Sequence, residues 1–270
     1  IFILEPIETK NLHTVLSAND LQIGYKSKNV KSIIASNIDF DVNQGELVAL
    51  IGVNGVGKST LLRSLIGVQD ALDGNISINN KSLKNISPED LSELISIVLT
   101  EQPISKNLSV FELIALGRQP YTNWIGTLGK RDIQQINTAL ELVGITELRD
   151  KKCFELSDGQ LQKVLIGRAI AQDTPLIILD EPTTHLDIYH QAYILKLLKK
   201  LCVQTNKSIL FATHEINLAL QLCDKIVLMQ PDKVSVGSPK QLIENDSFAT
   251  LFPSDLIVFD KISNSFKIKT

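Results

Sequence analysis

Apolar and polar positions follow changing rhythms along this chain. In the first fifty residues Ile38, Phe40 and Val42 alternate with Asp39 and Asp41, the period-two pattern of a strand with one face in solvent. From Glu46 the style changes. LVALIGV (47–53) is apolar on both faces, as suits a parallel strand buried inside a sheet. A Gly-rich turn follows, and KSTLLRSLIG then predicts a helix stopped by Gly67. ISIVL (95–99), LIILD (176–180), SILFAT (208–213) and KIVLM (225–229) repeat the buried-strand pattern, with helical patterns between several of them. One of these, within 187–202, sets Ile194, Leu197, Leu198 and Leu201 on a single face. The alternation predicts an α/β fold: a mainly parallel sheet with helices on its faces, preceded by a β-rich part.

The stretch from about 103 to 167 has helical patterns and no convincing strand. Ile133, Ile136, Ala139, Leu140 and Val143 form an amphipathic stripe with Gly144 as its C-cap. Val110 to Leu116 predicts a second helix, with Gly117 as its stop. A helical lobe inserted into the sheet domain is the expectation. The sheet-bearing parts then cover about 17–102 and 168–245 of one domain, 1–245. Residues 246–270 form a C-terminal extension, and its SFATLFPSDLIVFD segment is expected to pack on the sheet domain.

Composition narrows the classes. At 270 residues and 44% hydrophobic, the chain can bury one sizeable core or two lobes. A net charge of −3 argues against a broad basic surface, so no nucleic-acid partner is expected. No apolar run approaches the ~18 residues of a membrane-spanning helix. The opening IFILEP has no basic residue before its apolar stretch and is not expected to be a secretory signal; it begins at Ile1 rather than Met, so the natural start is expected to lie upstream. Cys153, Cys202 and Cys223 lack metal-ligand spacing and read as free thiols of a reducing cytosol.

Three segments carry chemistry. GVNGVGKS (52–59) fits G-x-x-x-x-G-K-[ST], in which glycines such as Gly55 and Gly57 let backbone N–H groups, that of Asn54 among them, wrap a polyphosphate. The helix that follows aims its positive end at the same anion. Lys58 would reach the β- and γ-phosphates, the Ser59 hydroxyl would ligate Mg²⁺ and Thr60 would lie near the α-phosphate. The alternative, a Gly-rich turn with a chance lysine, is disfavoured by the strand before it and the helix after it. LIILDEP (176–182) ends a buried strand in two carboxylates at the carboxyl edge of the sheet, where α/β ligands bind. Asp180 would hold Mg²⁺ and Glu181 would polarise an attacking water. LSDGQ (156–160) precedes a helical pattern, and Ser157 and Gln160 have capping-box spacing. It is either an ordinary helix start or a second anion-ready terminus, suited to closing over a nucleotide held by another copy.

With LSDGQ the chain resembles the ATP-binding cassette family over roughly residues 17–245, although Asp158 replaces the usual glycine of LSGGQ. The resemblance implies a P-loop cassette fold with an N-terminal antiparallel β subdomain and an inserted helical subdomain. It implies ATP and Mg²⁺ as cofactors, and a head-to-tail dimer in which Ser157 and Gly159, with Gln160, meet the γ-phosphate of ATP on the partner's Lys58. Gln102 resembles the Q-loop residue that senses Mg²⁺ and meets the membrane subunit. Asp187, in THLD, resembles the D-loop residue and can also be a helix N-cap. His214 resembles the switch histidine at the γ-phosphate, and Tyr25 the aromatic platform for adenine.

The chemistry so implied is in-line attack of water on the γ-phosphorus of ATP, with Lys58, Ser59 and loop amides stabilising charge and Glu181 and His214 holding the water. The chain is then an ATPase bound peripherally at the cytoplasmic face of the cell membrane. Its partners are integral membrane permease subunits, a second copy of itself and, indirectly, a substrate-binding protein. Rival classes are a soluble cassette ATPase of translation or repair and a nucleotide-dependent interaction module without turnover. One cassette, a short insertion, and the presence of Glu181 and His214 favour transport. LSVFELIALGRQPY (108–121) resembles the segment after the Q-loop in ATPases of ferric siderophore, haem and cobalamin importers, and the absence of a fused span favours import.

Overall fold

The computed structural model describes residues 13–27, 30–99, 105–253 and 255–269. First come the long strands β1 (Thr14–Ser27) and β2 (Val30–Asn43), then β3 (Leu47–Gly52), α1 (Lys58–Leu65), β4 (Asp73–Ile78), β5 (Lys81–Ser82), α2 (Pro88–Leu94) and β6 (Ile95–Val98). Helices α3 (Val110–Ala115), α4 (Lys130–Val143) and α5 (Asp158–Ala171) follow. Alternation then resumes with β7 (Leu176–Asp180), α6 (Ile188–Thr205), β8 (Ser208–Thr213), α7 (Ile216–Leu222), β9 (Lys225–Gln230), β10 (Lys233–Gly237) and α8 (Pro239–Glu244). A hairpin of β11 (Ile257–Asp260) and β12 (Ser265–Ile268) ends the described chain. Gln102 lies outside the described residues.

The central sheet has the order β10-β9-β3-β8-β7-β6, parallel except for β10 at one edge. Beside it β2-β1-β4-β5 form an antiparallel sheet. The buried strands serve two cores at once. On β3, Leu47, Ala49 and Ile51 face one and Val48 and Leu50 the other. On β7 the split is Ile177 and Leu179 against Leu176 and Ile178. Full burial of such a side chain is worth about 1.5–3 kcal/mol, which is why these strands are apolar without alternation. The second core is closed by α1, through Leu61, Leu62 and Leu65, and by the antiparallel sheet, through Leu16, Ile38 and Phe40. The first runs without a break into α3, α4 and α5.

Those helices bury the residues the periodicity selects: Ile136, Ala139, Leu140 and Val143 on α4, with Gly144 at φ +66° closing the helix. Ile133 at its start is 40% exposed. Gly117 is not a helix stop. The chain passes from α3 directly into a 3-10 turn, Leu116–Tyr121, and Gly117 is where that turn meets α5. A Cβ there would lie 2.2 Å from the Arg168 carbonyl oxygen, so only glycine fits. The neighbouring Arg118 is buried. Its Nε donates to Asp132 Oδ1 at 2.9 Å and its Nη1 to the Ala171 carbonyl at 2.7 Å, the last residue of α5. The C-terminal segment packs through Phe248, fully buried in the first core and stacked on Phe259 at 5.1 Å.

Candidate functional site

Four chain segments converge at the carboxyl edge of the sheet. β3 ends at Gly52, and the loop to α1 turns through Gly55 at φ +78° and Gly57 at φ +106°. A Cβ on Gly57 would come within 2.4 Å of Ile34 Cγ2, so the loop needs glycine there for both dihedral and space. Gly57 is the N-cap of α1 and no side chain caps the helix, which leaves its first amides facing the loop. Asn54 and Gly55 are exposed, Ser59 is half-buried, and Lys58 and Thr60 are buried. Lys58 Nζ donates to the carbonyls of Gly52 at 2.9 Å and Val53 at 3.3 Å, folding back over the loop. Burial pulls its ammonium below the ordinary lysine range, against the opposing pull of Glu181 and Asp180.

Strand alternation aims the next residue. Leu176 and Ile178 face the α1 side of the sheet, so Asp180, two further on, faces it too. There its carboxylate accepts a hydrogen bond from Ser59. Burial and the neighbouring Glu181 raise the Asp180 carboxyl above its usual range, against the contributions of Ser59, Arg63 and Lys58. Ser59, Arg63, Asp180 and Glu181 line one cleft of about 390 Å³. Hydroxyl and carboxylate are both hard oxygen donors, the donor type that hard divalent cations take.

Glu181 is set by its backbone. It adopts φ +49°, uncommon for a residue with a side chain, while its N–H stays bonded to the Ala212 carbonyl at 3.1 Å. Its Oε1 lies 2.6 Å from His214 Nε2, just beyond β8, and its Oε2 accepts from Thr184 Oγ1 at 3.1 Å. Carboxylate and imidazole, 33 residues apart in sequence, thus form one unit at the edge. Tyr25 sits next to the loop. Its Oη lies 3.4 Å from Thr60 Oγ1, and the side chain is 51% exposed, free to offer an aromatic face.

LSDGQ borders this cluster through Asp158. Ser157 caps α5, accepting from the Gln160 N–H at 3.3 Å while Gln160 Oε1 accepts from the Ser157 N–H at 3.1 Å. The capping box is therefore real, but among the described residues no hydrogen bond joins Ser157, Gly159 or Gln160 to the loop at 52–59. Asp158 shares a small cleft with Glu181, Thr184 and His185. Asp187 is the N-cap of α6, and the His190 backbone N–H, then the His190 ring, hold its carboxyl below the usual range.

Sequence patterns did not point to Thr184 or to the carbonyls that hold Lys58. A threonine three residues after a candidate base was the available clue to the first. Chemically the edge offers a lysine and helix amides for an anion on one side, and two carboxylates and an imidazole for water and metal on the other. Phosphoryl transfer draws on this combination of groups.

Comparison with known proteins bears on the family and the fold. The family model described as ABC transporter matches residues 35–184. An uncharacterised ABC transporter ATP-binding protein of Methanocaldococcus jannaschii is 34% identical, covering 94% of this chain and 87% of its own. The achromobactin transport ATP-binding protein of Dickeya dadantii is 33% identical, covering 90% of this chain and 89% of its own. Among solved structures, a transporter assigned to the metal-chelate type, in an inward-facing conformation, matches with a TM-score of 0.76 and 29% identity, over 94% of this chain and 95% of that one.

Proposed function

The chain belongs to the ABC transporter family and is an ATPase, and from that premise we propose that it powers import of a metal chelate through membrane permease subunits. The observation that carries the catalytic part is the unit formed by Glu181, His214 and Thr184 at the edge that also bears Lys58 and Asp180.

The polyphosphate of ATP lies along the loop at 52–59, held by its amides and by the first turn of α1. Lys58 exchanges the Gly52 and Val53 carbonyls for β- and γ-phosphate oxygens. Ser59 and Asp180 would hold Mg²⁺, joined by Gln102 as the family resemblance implies, and the ion would supply charge neutralisation to the phosphates. Tyr25 stacks on the adenine, and Thr60 lies near the α-phosphate. Glu181 accepts a proton from water as the water oxygen bonds to the γ-phosphorus, while the bond from that phosphorus to the β–γ bridging oxygen breaks. Thr184 keeps the carboxylate aimed, and His214 steadies the γ-phosphate and the water.

Among the described residues Ser157, Gly159 and Gln160 make no hydrogen bond to their own loop at 52–59, which suits a role toward ATP held by a second copy in a head-to-tail dimer. Asp187 joins that interface. ATP then draws two copies together, and hydrolysis releases them. No helix among the described residues is long and apolar enough to cross a membrane. A separate permease fits that fact, with this chain at the cytoplasmic face. An apolar groove of about 730 Å³ beside the edge strand, lined by Leu83, Leu91, Leu99 and Leu116, is the surface we assign to it. Its position next to Leu99, three residues before Gln102, favours that occupant. The cargo class is supported by the achromobactin transport relative and by the metal-chelate transporter. A substrate-binding protein would deliver the cargo.

Glu181→Gln tests the proposal. It is expected to bind ATP, to accumulate as a dimer in ATP and to lose turnover by about 10²–10⁴-fold. Turnover at the unaltered rate would refute the assignment of Glu181. Lys58→Ala should instead weaken ATP binding itself, read by titration with a fluorescent nucleotide; unchanged affinity would refute the loop assignment.

A further inference from the structure

His190, which the catalytic scheme does not use, touches two segments that the scheme does use. It is the third residue of α6, and its ring turns back over the helix start. Nδ1 lies 2.9 and 2.8 Å from Oδ1 and Oδ2 of Asp187, and Oδ1 also accepts the His190 backbone N–H at 2.9 Å. An ionised carboxylate can only accept, so Nδ1 carries a proton. The other side of the ring covers Gly159 of LSDGQ. A Cβ on Gly159 would sit 2.8 Å from Cδ2, 3.4 Å from Cγ and 3.5 Å from Nε2. One turn further along both helices the contact repeats: Lys163 Nζ lies 4.0 Å from the centre of the Tyr193 ring.

The location of these contacts on α5 is what gives them consequence. At its far end the helix is tied to β6 and to the end of α2. Arg168 donates to the Ile97 carbonyl at 3.2 Å, and Gln172 to the carbonyls of Ser92 at 2.6 Å and Ile95 at 3.0 Å. The 14-residue helix is about 20 Å long, so anchors at that end alone would let LSDGQ swing. His190 holds the near end. It does so from a segment joined to Glu181 through two tight turns, with the Thr184 N–H on the Glu181 carbonyl and the Leu186 N–H on the Thr183 carbonyl, each at 3.2 Å.

We propose that His190 is a positioning residue that pins the start of the LSDGQ helix to the Asp187 turn. The pin thus sets the spacing between the two segments that reach a second copy's nucleotide. This rests on the dimer reading above.

The test compares Glu181→Gln with the double variant Glu181→Gln/His190→Ala by sedimentation in Mg·ATP. ATP affinity of the monomer and melting temperature are followed in parallel. Loss of the pin should weaken ATP-driven dimerisation about tenfold or more. Monomer affinity for ATP should stay within about twofold, since the loop at 52–59 is untouched. His190→Asn retains an N–H for Asp187 but not the ring over Gly159, and should fall between; it also serves if the alanine variant folds poorly. Equal dimerisation of single and double variants overturns the proposal while leaving the dimer reading intact. Dimerisation lost only in step with melting temperature also overturns it, because it reports packing alone. Failure of Glu181→Gln itself to dimerise overturns the dimer reading and the proposal together.

Discussion

The strongest test of how α5 is mounted is Arg118→Ala. The guanidinium is buried, with a side-chain exposure of 3% against 11% for Asp132, and it makes three contacts: Asp132, the Ala171 carbonyl and the face of Tyr121 at 4.0 Å. Removing one partner of a buried ion pair costs about 3–5 kcal/mol, because the other charge stays behind. Here Asp132 keeps the Gly129 N–H at 2.9 Å and the positive end of α4, which moves the figure to the lower end. Losing the Ala171 bond and the Tyr121 contact brings it back toward about 3–4 kcal/mol. At roughly 2–4 °C per kcal/mol in a chain of this size, the melting temperature should drop by about 10 °C. Urea unfolding followed by circular dichroism, with Arg118→Lys and Asp132→Ala alongside, would measure it. Lysine keeps the charge without the fork and should recover about half of the loss. The double variant should be less destabilised than the sum of the single ones. The Gly129 N–H, and then Arg118, hold the Asp132 carboxyl below its usual range, against the cost of burial. Its stabilisation is thus complete above the unfolded value near ~3.9 and is lost as pH falls through the lower folded value. Arg118→Ala should therefore show a shallower acid loss than the unaltered chain. A cost below about 1 kcal/mol, or strict additivity with Asp132→Ala, would refute the reasoning.

Tyr25→Ala should raise KM for ATP by about 5–100-fold, the worth of a base–aromatic stack, while kcat changes little; an unchanged KM would remove Tyr25 from the adenine site. The thiols should resist labelling in the folded chain. Burial pushes Cys202 up to about 12, and Cys223 and Cys153 are raised for the same reason, so a maleimide or disulfide reagent should react only on unfolding. Rapid labelling of any of the three under native conditions would contradict their burial.

Much of this was legible in the sequence because local rules act over a few residues. The buried strands, the glycines of the loop at 52–59 and the capping box of Ser157 and Gln160 all follow from patterns shorter than ten residues. What could not be read depends on where distant segments land. The residues around Glu181 do not by themselves point to His214; the family resemblance alone brings the two to one water, and the fold sets them 2.6 Å apart. Gly117 reads locally as a stop, and only the approach of Arg168 shows why it must be glycine. The aromatic residues Phe248, Phe252, Phe259 and Phe266 carry no periodicity, because they meet across a segment and a hairpin rather than along one element.

The two-sided strands have a consequence for how such a chain can vary over time. β3, β7, β8 and β9 spend alternate side chains on opposite cores, so the gain or loss of one residue inside any of them exchanges both sets at once. In β7 the same slip would turn Asp180 away from Ser59 and carry Glu181 off its place beside His214. In α4 a one-residue slip rotates the buried stripe by about 100°, which a neighbouring loop can partly absorb. Length changes should therefore accumulate in the helical lobe and at its loops, while the strands beneath the catalytic edge diverge by substitution alone.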